Sequence, residues 1–129
     1  MSKRVFIVED DNIYSEFLRK NLRTKYKIYA YGSAEDALIA LKSISPDVLV
    51  IDYKLPGMNG IDLFERIKDT LPEDTKTIVL SSIDDGNLVL DFIKKGIRDY
   101  VIKDENVIDS LVSIIEESDD IFYDSGINS

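Results

Sequence analysis

The strongest constraint on how this chain can fold is the alternation of short, continuous apolar runs with segments of helical spacing. Four runs rich in β-branched residues stand out: Val5-Phe6-Ile7-Val8, Val48-Leu49-Val50-Ile51, Thr77-Ile78-Val79-Leu80 and Tyr100-Val101-Ile102. A strand that is apolar at consecutive positions is buried on both faces, as in a parallel sheet covered by helices. A fifth run, Tyr26 to Tyr31, alternates less cleanly and carries Lys27, so it reads as an edge strand. Between these runs, Ile13, Phe17, Leu18 and Leu22 form one helical stripe. Ala34, Ala37, Leu38 and Leu41 form a second, opened by the capping pattern Ser33-Ala-Glu-Asp36. Ile61, Phe64 and Ile67 form a third with Asn59 as its cap, and Leu88, Val89, Phe92 and Ile93 a fourth stopped at Gly96. Val107, Ile108, Leu111, Val112 and Ile115 form the last, with Asp104 as its cap. All five stripes are expected to face the core.

Strand and helix thus alternate five times with short connections, which gives an α/β fold with a parallel sheet and right-handed crossovers. Five such units are too few for an eight-stranded barrel, so an open doubly wound sheet follows. With the second strand at an edge, the expected order is 2-1-3-4-5, the flavodoxin-like (βα)5 arrangement. The 129 residues suit one compact domain, expected over 1–118, with 119–129 as an acidic tail or the start of a linker. Ligands of such sheets bind beyond the carboxyl ends of the strands, where the winding reverses.

Composition narrows the chemistry available at that edge. The chain has no cysteine and no histidine, which removes zinc, copper and iron–sulfur sites, a Ser-His-Asp or Cys-His nucleophile, and any histidine proton shuttle. Any metal must be a hard, oxygen-bound ion. The start Met1-Ser-Lys-Arg leads straight into an apolar run, and no run approaches membrane-spanning length, so neither a signal peptide nor a transmembrane helix is expected. The expected location is cytoplasmic. The net charge of −9 counts against nucleic acid and anionic membrane as partners. All 16 basic residues and 17 of the 25 acidic ones precede position 104, and eight acids with no base stand from Asp104 onward. Such a run reads as a solvated helix face leading into an acidic end.

At the carboxyl ends of the expected strands stand Glu9-Asp10-Asp11, Asp52, Ser81-Ser82 and Lys103. Asp11 or Asn12 has an ordinary role as the cap of the first helix. Asp52 does not, because it opens the loop Tyr53-Lys-Leu-Pro-Gly-Met-Asn-Gly60. Carboxylates brought together repel one another unless a cation and a lysine neutralise them. Ligation by carboxylates, a backbone carbonyl and water is the Mg²⁺ pattern. A lysine, a hydroxyl and a metal around one carboxylate form a site for a phosphoryl group, with Asp52 the candidate nucleophile toward phosphorus.

The segments Ile7-Val-Glu-Asp-Asp11, Pro46 through Asp52 to Gly60, Ile78-Val-Leu-Ser81 and Gly96-Ile-Arg-Asp-Tyr-Val-Ile-Lys103 together resemble the receiver domain of two-component response regulators. The resemblance covers about residues 3 to 117. It implies that Asp52 accepts a phosphoryl group from a sensor histidine kinase or phosphotransfer protein. Asp10, Asp52 and the backbone carbonyl of Lys54 would bind Mg²⁺, with Glu9 acting mainly through a coordinated water. Lys103 and the Ser81 hydroxyl would contact phosphoryl oxygens, and Ser81 with the switch aromatic Tyr100 would reshape the surface of helix four, strand five and helix five. Such a domain is a phosphoacceptor that assists its own phosphorylation and dephosphorylation rather than an enzyme acting on an outside substrate. It implies a downstream output domain or protein partner and, in many members, a phosphorylation-dependent homodimer, with no membrane contact and no direct nucleic-acid contact from this domain.

Two departures from the family pattern bear on the site. Asp104 stands where the family usually has a proline with a cis bond, so a trans Lys103–Asp104 bond and a different approach of the lysine are expected. Glu9 replaces the commoner aspartate. Lys54 and Ile83 occupy positions that in the family tune phosphoryl lifetime. Two other readings stay open on the sequence: a degenerate receiver used only as a protein-docking module, and a Mg²⁺-dependent phosphatase. Against the second, haloacid-dehalogenase-type and toprim enzymes use an Asp-x-Asp pair, whereas Lys54 stands two places after Asp52.

Overall fold

The computed structural model describes residues 2–82 and 86–117, with the side chains of 86–89 excepted. The expectations for Ile83, for the side chains of Leu88 and Val89, and for the acidic end from 118 onward lie outside the described residues. The elements alternate as β1 (Arg4–Val8), α1 (Asn12–Leu22), β2 (Lys27–Tyr31), α2 (Ala34–Leu41), β3 (Val48–Asp52), α3 (Gly60–Ile67), β4 (Lys76–Ser81), α4 (Gly86–Lys94), β5 (Asp99–Ile102) and α5 (Val107–Glu116). The strands form one sheet in the order β2-β1-β3-β4-β5, every pair parallel. This is the flavodoxin-like arrangement that the alternation of runs implies.

Alternate residues of each strand enter opposite cores. Val5 and Ile7 of β1, Val48 and Val50 of β3, and Ile78 and Leu80 of β4 pack against Leu18 and Leu22 of α1 and against Val107, Leu111 and Ile115 of α5. Phe6, Val8, Leu49 and Ile51 face α2 and α3 on the other side, and Val79 continues that face against Phe92 of α4. The lysine-bearing β2 is at the edge and only partly buried, as its pattern requires.

Local signals set most helix ends. Asp11 Oδ1 accepts hydrogen bonds from the backbone N–H groups of Ile13 and Tyr14, Ser33 Oγ from that of Asp36, and Asn59 Oδ1 from that of Asp62. Gly96 adopts φ +93°, the left-handed conformation that ends α4. At α5 the expected cap is displaced. Asn106 holds the N-cap position without a side-chain hydrogen bond, and Asp104 Oδ1 instead accepts from Asn106 N–H at 2.8 Å, so it closes the turn before the helix.

Two stripes also need correction. Ile13 is 85% exposed, Phe17 43% and Ile93 61%. In α1 the row facing the sheet is Tyr14, Leu18 and Leu22, one residue along from the row that includes Ile13 and Phe17. Both rows have helical spacing, and hydropathy alone favours the wrong one. In α4, Phe92 points inward while Leu90 and Ile93 point out.

Gly60 fixes how α3 meets β3. A Cβ there would stand 2.5 Å from the backbone oxygen of Asp52, so the first turn of α3 reaches the site strand only because this residue has no side chain. Gly60→Ala should therefore lower unfolding stability by about 1–3 kcal/mol, read from urea denaturation.

Candidate functional site

The pairing register carries the chemistry-bearing residues to one edge. Val8 pairs with Ile51, Asp52 with Leu80, and Ser81 with Ile102. Glu9, Asp52, Ser81 and Lys103 therefore stand side by side at the strand ends. Backbone bonds carry the ladder past the formal strands: Glu9 N–H donates to Tyr31 O, Tyr53 N–H to Leu80 O and Lys103 N–H to Ser81 O, at 3.0, 2.8 and 2.8 Å.

Glu9 and Asp52 are buried, whereas Asp10 is exposed at the rim. One carboxylate oxygen from each of the three lies within 4.8 Å of the others. The Lys103 ammonium donates to Glu9 Oε1 at 2.6 Å and stands 3.2 Å from Asp52 Oδ2. Asp11 N–H donates to Glu9 Oε2 at 3.2 Å, and Lys54 N–H to Asp52 Oδ1 at 3.4 Å. The Lys103 side chain is thus a buried-edge ion-pair partner and not a solvated strand end. No peptide bond among the described residues is cis, so the Lys103–Asp104 bond is trans as expected.

One ammonium, beside Glu9 and Asp52, serves a cluster of three carboxylates. Burial pushes the Glu9 carboxyl up to about 7, the Lys103 hydrogen bond pulls it down, and neighbouring Asp52 pushes it up again. For Lys103, burial disfavours the ammonium, but its bonds and proximity to Glu9 and Asp52 win, so it is held above the usual lysine range. Three convergent oxygen donors with surplus negative charge, one of them open to solvent, fit a hard divalent cation such as Mg²⁺.

Ser81 is buried at the end of β4. Tyr100 is half-buried on β5, its ring 6.1 Å from that of Phe92. Because Val79 pairs with Tyr100, and Ser81 lies two residues beyond Val79, Ser81 and Tyr100 share one face of the sheet. Glu9, Asp10, Asp52 and Lys103 converge here, with Ser81 at the end of the neighbouring strand, whereas the Lys54 side chain is exposed while its amide turns toward Asp52.

Tyr14 belongs to the site, although no motif in the sequence singles it out. Its ring lies under the Lys103 ammonium, 4.6 Å from Nζ to the centroid. The signal for it is its four-residue spacing from Leu18, which turns it toward the sheet.

The family model of the response regulator receiver domain matches residues 5–116. The chemotaxis protein CheY of Thermotoga maritima is 34% identical over 106 residues, covering 80% of this chain and 87% of that protein. The transcriptional regulatory protein YdfI of Bacillus subtilis is 28% identical over 78% of this chain, which spans 48% of YdfI. A protein-glutamate methylesterase/protein-glutamine glutaminase of Desulfotalea psychrophila is 31% identical, and the chain spans 29% of it. Among solved structures, the BeF3-activated DrrB receiver domain superposes with a TM-score of 0.78 at 25% identity, covering 91% of this chain and all of that one. Vibrio cholerae CheY4 shares the fold with a TM-score of 0.82 at 16% identity, covering 90% of this chain and 98% of that one.

Removing Lys103 should expose the charge imbalance. Loss of the ammonium raises the folded-state pKa of Glu9 further above its unfolded value, and a carboxyl raised in this way loses stabilisation as pH rises toward that pKa. In EDTA, Lys103→Met should cost about 1–3 kcal/mol at pH 8 and much less near pH 5, where Glu9 takes up a proton instead. Urea denaturation at the two pH values checks this, and an equal loss at both contradicts it.

Proposed function

The chain belongs to the response regulator receiver domain family, and from that premise we propose that it is a phosphorylation-driven signalling switch with Asp52 as its phosphoacceptor. The observation that carries this reading is the Glu9, Asp10 and Asp52 cluster, with Lys103 3.2 Å from the Asp52 carboxylate. The donor is the phosphohistidine of a sensor histidine kinase or phosphotransfer protein. One Asp52 carboxylate oxygen bonds to phosphorus while the phosphorus–nitrogen bond breaks. The electron pair leaves with the imidazole nitrogen, which takes up a proton.

Each residue has a part in that step. Glu9, Asp10, Asp52 and the backbone carbonyl of Lys54 would hold Mg²⁺, with Glu9 acting mainly through water. When bound, the ion supplies positive charge against the phosphoryl oxygens. Lys103 exchanges a carboxylate for a phosphoryl oxygen, and its ammonium needs no proton transfer to do so. Ser81 donates its hydroxyl to another phosphoryl oxygen. Since Ser81 and Tyr100 share a sheet face, the move of Ser81 makes room for the Tyr100 ring to turn inward. The surface of α4, β5 and α5 then changes, and a downstream domain, a protein partner or a second copy of the chain reads it. The chain does not turn over an outside substrate. It assists the gain and loss of its own phosphoryl group.

Incubation with Mg²⁺ and acetyl phosphate should add the mass of one phosphoryl group to the intact protein. Asp52→Asn and EDTA should each abolish the gain. A gain that survives Asp52→Asn defeats the assignment of Asp52, and no gain in the unaltered chain defeats the switch.

A further inference from the structure

The aromatic face of Tyr14 has no part in the chemistry above, yet it touches the cation of the site. The Lys103 side chain is 17% exposed, and its ammonium has two carboxylates on one side and the Tyr14 ring on another, 4.6 Å from Nζ to the centroid. Backbone bonds fix where the lysine arm begins, since Lys103 N–H donates to Ser81 O and Asp104 N–H to Ile102 O. They leave the four-carbon stem to be guided by what surrounds it. Tyr14 is itself fixed, because its amide is one of the two that the Asp11 cap holds.

The Tyr14 hydroxyl is buried and has no hydrogen-bond partner among the described residues. The ring face, in contrast, matches its neighbour: an ammonium over an aromatic face is attracted by the ring's negative quadrupole. The ring also offers no lone pair. It attracts the cation without competing with the carboxylate or phosphoryl oxygen that must bind it next, whereas an acidic side chain at this position would capture it.

We propose that Tyr14 is a positioning residue for phosphoryl transfer, its ring face steering the Lys103 ammonium toward Asp52 while the ammonium changes partners. The inference rests on the switch reading above. It assigns to an aromatic of α1 a guiding role toward a lysine that here is followed by Asp104 through a trans bond.

Two variants separate the ring face from the hydroxyl and from bulk. With acetyl phosphate at saturating Mg²⁺, Tyr14→Phe should phosphorylate within about twofold of the unaltered chain, and Tyr14→Leu about 5–30-fold more slowly. A second readout does not depend on turnover. In protein labelled with ¹⁵N-lysine, the Lys103 ammonium signal, assigned by its loss in Lys103→Arg, should be ring-current shifted in the unaltered chain and in Tyr14→Phe. In Tyr14→Leu it should return toward ordinary lysine. If the leucine variant does not fold by circular dichroism, Tyr14→Met carries both readouts. A leucine or methionine variant that phosphorylates at the original rate overturns the proposal, and so does an unshifted Lys103 signal in the unaltered chain. An unaltered chain that takes no phosphoryl group while its Lys103 signal is shifted overturns the switch reading beneath it instead.

Discussion

The parallel register of the sheet is the constraint on which the site depends. Val8 opposite Ile51, Asp52 opposite Leu80 and Ser81 opposite Ile102 determine that an acid, a second acid, a hydroxyl and a lysine end level with one another. A slip of one residue in any strand would turn its apolar side chains to the opposite core and carry the terminal polar group with them. Because β1, β3 and β4 are buried on both faces, neither core could accept the slip without burying a mismatched shape. The cores thereby hold the site in place, although almost none of their side chains touches it.

The site itself runs against the packing that supports it. A buried glutamate beside a buried aspartate is costly, and a single lysine does not neutralise both together with Asp10. Replacing the cluster by apolar residues would suit the fold better, so its presence at the winding reversal marks function. Gly60 belongs to the same compromise. It admits the start of α3 against the Asp52 backbone, and its amide donates to Tyr53 O at 3.1 Å, which shapes the loop leading away from Asp52.

Much of this was legible in the sequence, for identifiable physical reasons. Continuous β-branched runs mark doubly buried strands, a lysine-bearing run marks the edge, and Ser33, Asn59 and Asp11 sit where unpaired helix amides need acceptors. Since strand ends follow from strand positions, Glu9, Asp52, Ser81 and Lys103 could be placed at one edge before any coordinates. What was illegible is what periodicity cannot encode. In α1, the rows through Ile13 and Tyr14 have the same spacing, and only the position of the sheet beneath decides that Tyr14 turns inward and Ile13 outward. Lys103's contact with Tyr14 joins residues far apart in sequence through a geometry that neither local pattern announces. At α5, Asp104 is a good capping residue that stands two residues before the N-cap position, because the chain must first leave Lys103 at the site.

The acidic last turn of α5 changes meaning once its partners are seen. The last turn of α5 has no basic residue and ends in Glu116 and Glu117, an arrangement that opposes the helix dipole. The compensation comes from elsewhere in the body. Lys3 Nζ donates to Ile115 O at 2.9 Å, and Lys76 Nζ donates to Ile114 O and Glu117 O at 2.6 and 2.5 Å. Tyr26 adds a hydroxyl bond to Glu116 Oε2 at 2.7 Å. Basic residues from the first half of the fold and from β4 therefore stand at the end of a helix that has none in its own last turn. Lysines at the starts of the strands close off the carbonyl end of α5, at the opposite edge of the sheet from Asp52. The helix that bears part of the proposed output surface is thus tied to the body at its far end by cations that net charge counts only as surface.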